Sequence, residues 1–121
     1  MKLADVDHPI TITPNSRIVR VTFGGDVIAE SRRALTLREA GYQPVQYIPR
    51  QDVRMDLLKR VMHATHCPYK GDASYFSIEA GGRTAERAIW SYEHPFPQVA
   101  EIAGYLAFYP DRVDAIEEVK G

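Results

Sequence analysis

The chain has 121 residues, 45% of them hydrophobic, which suffices for one core and falls short of two ordinary domains. Fifteen Lys and Arg stand against sixteen Asp and Glu, a formal net charge of -1 with neither sign gathered into a run, so neither nucleic acid nor a membrane is an expected partner. No apolar stretch approaches the roughly 20 residues that cross a bilayer, and the start "MKLADVDHPITI" lacks the apolar segment of a signal peptide, so the expected location is cytoplasmic.

In chain order, residues 1–16 read as an N-terminal extension and residues 17–121 as a single β-rich domain. The run "RIVRVTF" (17–23) puts Val19, Val21 and Phe23 on one face, and Gly24, Gly25 and Asp26 supply a tight turn into "VIAES", which predicts a hairpin. "ALTLREA" (34–40) and "PVQYIP" (44–49), joined through Gly41, predict a second pair with proline at its margins. From Asp52, a good N-cap type, Val53, Leu57, Leu58, Val61 and Met62 follow helical spacing and predict one short helix over about residues 52–63. Beyond "CPYKG", the runs "ASYFSIEA" and "RTAERAIWSYE" around Gly81 and Gly82 predict a third hairpin, and "GYLAFYPDRVDAI" around Pro110 and Asp111 a fourth. "PFPQVAEIAG" (95–104) reads as a helical turn or coil. Hairpin-linked strands with one short helix imply a mainly β domain whose antiparallel sheets pack on each other.

The segments "VIAES", "YIPRQDV", "CPYKGDASY", "AIWSYEHPFP" and "GYLAFY" occur in that order within about residues 17–115. Together they resemble the bacterial domain of unknown function family 427, sometimes labelled nucleotidyltransferase-like. The resemblance implies a β-tent-like fold, two antiparallel sheets meeting at an angle, related at a distance to methionine sulfoxide reductase B, Yippee-like proteins and the thalidomide-binding domain of cereblon. It brings no established activity and no catalytic residue.

The residues themselves do not supply what those labels need. Nucleotidyl transfer uses closely spaced carboxylates on Mg²⁺ beside a phosphate-cradling loop. Here Asp111 with Asp114, and Glu117 with Glu118, read as solvated charge, and the glycine pairs sit in hairpin turns without opening a helix. The paired CxxC ligands of a structural zinc are absent, and His63, His66 and Cys67 can supply three ligands only if the chain leaves its helix at the right angle. No metal and no cofactor are therefore expected.

What remains is a convergence of polar and aromatic groups. Pro68 suits the second position of a β-turn that brings Cys67 and Lys70 within about 7 Å at their Cα atoms. A nearby ammonium favours thiolate, so Cys67 is either a reactive group or a small packed thiol; one cysteine cannot form an intrachain disulfide. Lys70 is either a solvated turn residue or a donor fixed inward. In "ALTLREA" the face bearing Leu35 and Leu37 also bears Glu39, an acid aimed where apolar side chains go unless the strand end reaches solvent. A buried carboxylate needs a partner, and Arg20, a tyrosine hydroxyl or Lys70 are the choices. Tyr47, Tyr75 and Trp90, with Tyr92 on the face of Trp90, are either core or pocket wall. Ser31 lacks a nucleophile-elbow motif, and capping alone accounts for Asp52.

The candidate ligand-binding set is therefore Glu39, Tyr47, Cys67, Lys70, Tyr75 and Trp90. It points first to a small-molecule-binding domain with an aromatic-walled polar pocket. An enzyme of unknown reaction using Lys70, Glu39 or Cys67 comes second, and a structural or protein-interaction domain third. The order follows from aromatic and polar groups that converge without a complete catalytic constellation.

Overall fold

A computed structural model describes residues 1–121 as a mainly β chain with ten strands and no α-helix. The strands are β1 (Ile10–Pro14), β2 (Ile18–Phe23), β3 (Asp26–Ser31), β4 (Leu35–Glu39), β5 (Val45–Tyr47), β6 (Leu58–Cys67), β7 (Gly71–Ala80), β8 (Arg83–Ser91), β9 (Ala107–Phe108) and β10 (Ala115–Val119). They form three antiparallel sheets, in the orders β1-β4-β5, β10-β2-β3 and β6-β7-β8-β9, where two sheets were expected. Two isolated bridges add to the ladders: Ile48 and Leu106, just beyond β5 and just before β9, exchange both backbone hydrogen bonds at 2.8 Å, and Ala29 of β3 faces Val53. β1 falls within the stretch read as an extension and pairs along its whole length with β4, Ile10 opposite Glu39 and Pro14 opposite Leu35.

Three expected hairpins form: β2–β3, β4–β5 and β7–β8. The first and third lean on each other through their turns. Gly24 and Gly81 sit at φ +63° and +61°, where an L side chain is strained, and a Cβ on Gly24 would collide with the Ala80 carbonyl while one on Gly81 would collide with the Gly24 carbonyl. The fourth hairpin does not form. β9 pairs with β8, Phe108 opposite Ile89, and β10 crosses to β2, Ile116 opposite Val21.

The helix expected over residues 52–63 is also absent. Two single 3-10 turns, Arg50–Asp52 and Met55–Leu57, lead straight into β6, which pairs with β7 from Leu58 opposite Ile78 to Cys67 opposite Gly71. A bulge between Val61 and Ala64 shifts the phase of the strand, so Leu58, Val61, His63 and Cys67 are its half-buried residues. That irregular spacing imitates a helical period. Asp52 caps nothing; its carboxylate accepts from Ser31 Oγ at 2.6 Å and from Arg33 Nη2 at 2.9 Å.

The inward faces bury two clusters. The larger joins Val19, Val21 and Phe23 of β2 to Phe76 and Ile78 of β7 and Ile89 of β8. The smaller gathers Leu37, Tyr47, Tyr75 and Tyr92 with Val99 and Ile102 of the 3-10 segment Pro97–Ile102. No helix is long and apolar enough to cross a membrane.

Candidate functional site

The smaller cluster leaves a concavity of about 430 Å³, and strand alternation decides which side chains face it. β4 turns Leu37 and Glu39 inward, β5 supplies Tyr47, β7 supplies Tyr75, and Trp90 with Tyr92 lie two residues apart on one face at the end of β8. Pairing of Cys67 with Gly71 leaves Pro68, Tyr69 and Lys70 as a three-residue turn. Gly71 continues from it at φ +115°, and the Phe96 N–H donates to the Lys70 carbonyl at 2.8 Å, fixing the backbone from which the ammonium enters. All six residues singled out from the sequence line this concavity: Glu39, Tyr47, Cys67, Lys70, Tyr75 and Trp90.

Glu39 is the polar centre. Its side chain is 8% exposed and that of Lys70 10%, and Lys70 Nζ donates to Glu39 Oε1. Arg20, the alternative partner, pairs instead with Glu30 across β2 and β3 at 2.6 Å. His8 Nε2 lies 2.6 Å from the other carboxylate oxygen, Oε2. Burial alone pushes the Glu39 carboxyl up, but the hydrogen bonds and charges of Lys70 and His8 outweigh it and hold the group below the ordinary glutamate value. It is a carboxylate at neutral pH.

His8 was not anticipated, because it sits in the segment read as an extension. The signal available is local: Asp5 Oδ1 accepts the backbone N–H of Asp7 at 2.9 Å and of His8 at 3.0 Å, an Asx-type turn legible in "DVDH". The imidazole then stacks flat on Tyr69, centroids 3.8 Å apart and planes 6° off parallel. Gln98 secures the same region by accepting from Ala4 N–H at 3.0 Å and donating to the carbonyls of Lys2 and Tyr69 at 2.7 and 2.8 Å.

The rings form a connected wall. Trp90 Nε1 donates to the Tyr47 hydroxyl at 3.2 Å, Tyr109 packs 4.5 Å from the Trp90 ring, and the Tyr75 hydroxyl shares a 2.8 Å hydrogen bond with Thr65. Burial pushes the phenols of Tyr47 and Tyr92 well up. Burial first, then the bond to the Tyr75 hydroxyl, pushes Tyr109 up to about 12. Each stays protonated at neutral pH and can donate.

Cys67 is half-buried on the cavity wall with its thiol free. Its neighbour His66 projects from the other face of β6 onto Asp72 Oδ1 at 2.7 Å, while the His63 ring packs edge-on against Tyr75 at 4.6 Å. The three potential ligands are thereby dispersed, and no three His, Cys, Asp or Glu side chains gather in a metal-holding arrangement. A separate polar cluster lies elsewhere: hydrogen bonding to Arg60, then to Ser74, then the charges of Arg60 and Arg50, overcome burial to hold Glu93 at about 2.

A family model described as "Domain of unknown function (DUF427)" matches residues 11–119, a span that contains Glu39, Cys67 and Lys70 and omits His8. A comparison with curated proteins finds no match.

Proposed function

The chain belongs to the DUF427 family of domains of unknown function, and since that membership assigns no chemistry, we propose from the geometry that the protein binds a small molecule in the concavity headed by Glu39 and Lys70. One observation carries the proposal: a carboxylate only 8% exposed, with both oxygens engaged, stands at the end of an aromatic-walled hollow of about 430 Å³. Burying an ion pair is weak support for stability, since apolar residues of similar volume serve as well or better. A few convergent polar groups among aromatic side chains is instead the make-up of a ligand pocket. The rings cover the body of the ligand, and the ion pair orients its polar end.

A second reading is an enzyme in which Lys70 or Glu39 moves a proton. The observation favouring it is that Glu39 touches two proton-bearing partners, Lys70 and His8, while the Cys67 thiol lies on the same wall.

Native mass spectrometry of protein purified from its own host tests the binding proposal. The wild type is expected to carry a non-covalent adduct, and Lys70→Met to lose it while keeping its β-rich circular dichroism. A wild type without adduct, and without a thermal shift against a library of small polar-aromatic and polar-aliphatic compounds, refutes it.

A further inference from the structure

The hydrogen-bonding capacity left unused in the concavity restricts the ligand further. The Lys70 ammonium has three N–H bonds and one is directed to Glu39. The Tyr47 oxygen accepts from Trp90 at 3.2 Å, which leaves its own O–H to give. Tyr92, whose ring lies 5.9 Å from Lys70 Nζ, lines the same space with a hydroxyl that no protein group engages. The free groups are thus chiefly donors. An anionic ligand would face the Glu39 carboxylate, and a cationic one would face Lys70. A neutral acceptor meets neither repulsion, and a carbonyl oxygen matches convergent N–H and O–H donors.

A second concavity of about 500 Å³ adjoins the first, with Gln43, Val45 and Trp90 lining both. Its accessible apolar wall is half-buried Val45, Trp90 and Ile116 of β10, over a closed floor of Val19 and Val21 of β2, Ile48 and Phe108 of β9. Two of its polar side chains are already committed: Gln46 Oε1 accepts from Asn15 at 3.0 Å and Thr36 at 2.9 Å, and Glu118 accepts from Asn15 at 2.7 Å. Such a compartment suits an apolar chain.

Resting on the small-molecule proposal above, we propose that the ligand is a neutral amphiphile. Its carbonyl head sits among Lys70, Tyr47 and Tyr92, and its hydrocarbon tail passes Trp90 into the second concavity. The amide N–H₂ of a primary carboxamide would also meet the remaining lone pairs of Glu39, so straight-chain carboxamides are the probes of choice.

Isothermal titration of the full chain at neutral pH with butanamide, hexanamide and octanamide tests this, with octanoate and octylammonium as charged controls of equal length. Affinity is expected to rise about three- to fourfold per added methylene, as for hydrocarbon leaving water. Octanamide should bind more tightly than either ion. Ile116→Phe, which narrows only the second concavity, should flatten the chain-length dependence and leave butanamide unchanged; if that variant does not fold, the wild-type series alone decides. Affinity independent of chain length overturns the tail assignment, while binding of butanamide keeps the first concavity as a ligand site. Octanoate binding more tightly than octanamide overturns the neutral head. Failure of every carboxamide to bind overturns the inference as a whole, and the host-purified adduct then decides separately whether the concavity binds anything.

Discussion

Replacing Lys70 with methionine keeps the length of the side chain and removes its charge, leaving Glu39 with one partner instead of two. Removing one member of a buried pair costs about 3–5 kcal/mol because the other charge is left uncompensated. Two features here lower the figure. His8 retains its 2.6 Å contact with Oε2, and the concavity lets water reach the freed oxygen. The expected destabilisation is therefore about 2–3 kcal/mol at pH 7 by urea denaturation. Adding Glu39→Gln removes the orphaned charge, so the double variant should be less destabilised than the sum of the two singles by about 1.5 kcal/mol or more. The pH dependence follows from the lowered Glu39 carboxyl. Its folded value lies below the ordinary 4.5, so its stabilising contribution is complete above that pH and is lost as pH falls through the lowered value. In Lys70→Met the chief hydrogen bond that lowers it is gone, so the gap between wild type and variant should narrow below about pH 4.5. A loss under about 0.5 kcal/mol at pH 7, with a gap that does not change on acidification, would show that the pair is as hydrated as a surface ion pair and would refute the reasoning.

The contact between the two glycine turns sets up an internal control. Gly24→Ala and Gly81→Ala each add backbone strain to a collision with a carbonyl and should cost more than about 3 kcal/mol, whereas Gly25→Ala and Gly82→Ala meet open space and should cost only the left-handed strain, about 1–2 kcal/mol, in the same denaturation assay. Ser31 and Asp52 are joined by a 2.6 Å hydrogen bond, so a double-mutant cycle with alanine at both positions should return a coupling of about 1 to 2 kcal/mol, and additivity would contradict the bond. In alkaline spectrophotometric titration, Tyr109→Phe should remove a phenol that ionises near 12. Because folding raises that value above the ordinary 10, the folded state holds the proton longer, and stability should fall as pH climbs past 10 in wild type more steeply than in Tyr109→Phe. Incubation with EDTA should leave the melting temperature unchanged, and a drop accompanied by stoichiometric zinc release would reverse the metal expectation.

The parts of the fold legible in the sequence are those set by near neighbours. Gly-Gly pairs mark the β2–β3 and β7–β8 turns because a tight turn needs positive φ, and Gly41 does the same between β4 and β5. The inward aim of Glu39 is legible for a similar reason: it shares the period-two face of Leu35 and Leu37, with a strand end that reaches solvent as the alternative the sequence leaves. Where distant partners decide, the sequence misleads. β6 reads as a helix because its bulge breaks the period of two, and only its ladder with β7 holds it extended. β9 and β10 look like one hairpin around Pro110 and Asp111, yet each finds a better neighbour far back in the chain, β8 and β2. His8 is hidden because its place depends on Tyr69 and Glu39, neither of which announces a partner in the first ten residues.

Trp90 is the chain's single tryptophan, and it stands in the wall common to both concavities. The indole emission of this protein therefore comes from one place. Its Nε1–H is held by the Tyr47 hydroxyl and its ring rests against Tyr109, so excitation absorbed by those phenols reaches the same fluorophore. A molecule entering on either side changes the polarity around the ring without any label being attached. Excited at its red edge, where the seven tyrosines do not absorb, that emission would report on the wall between the two concavities alone.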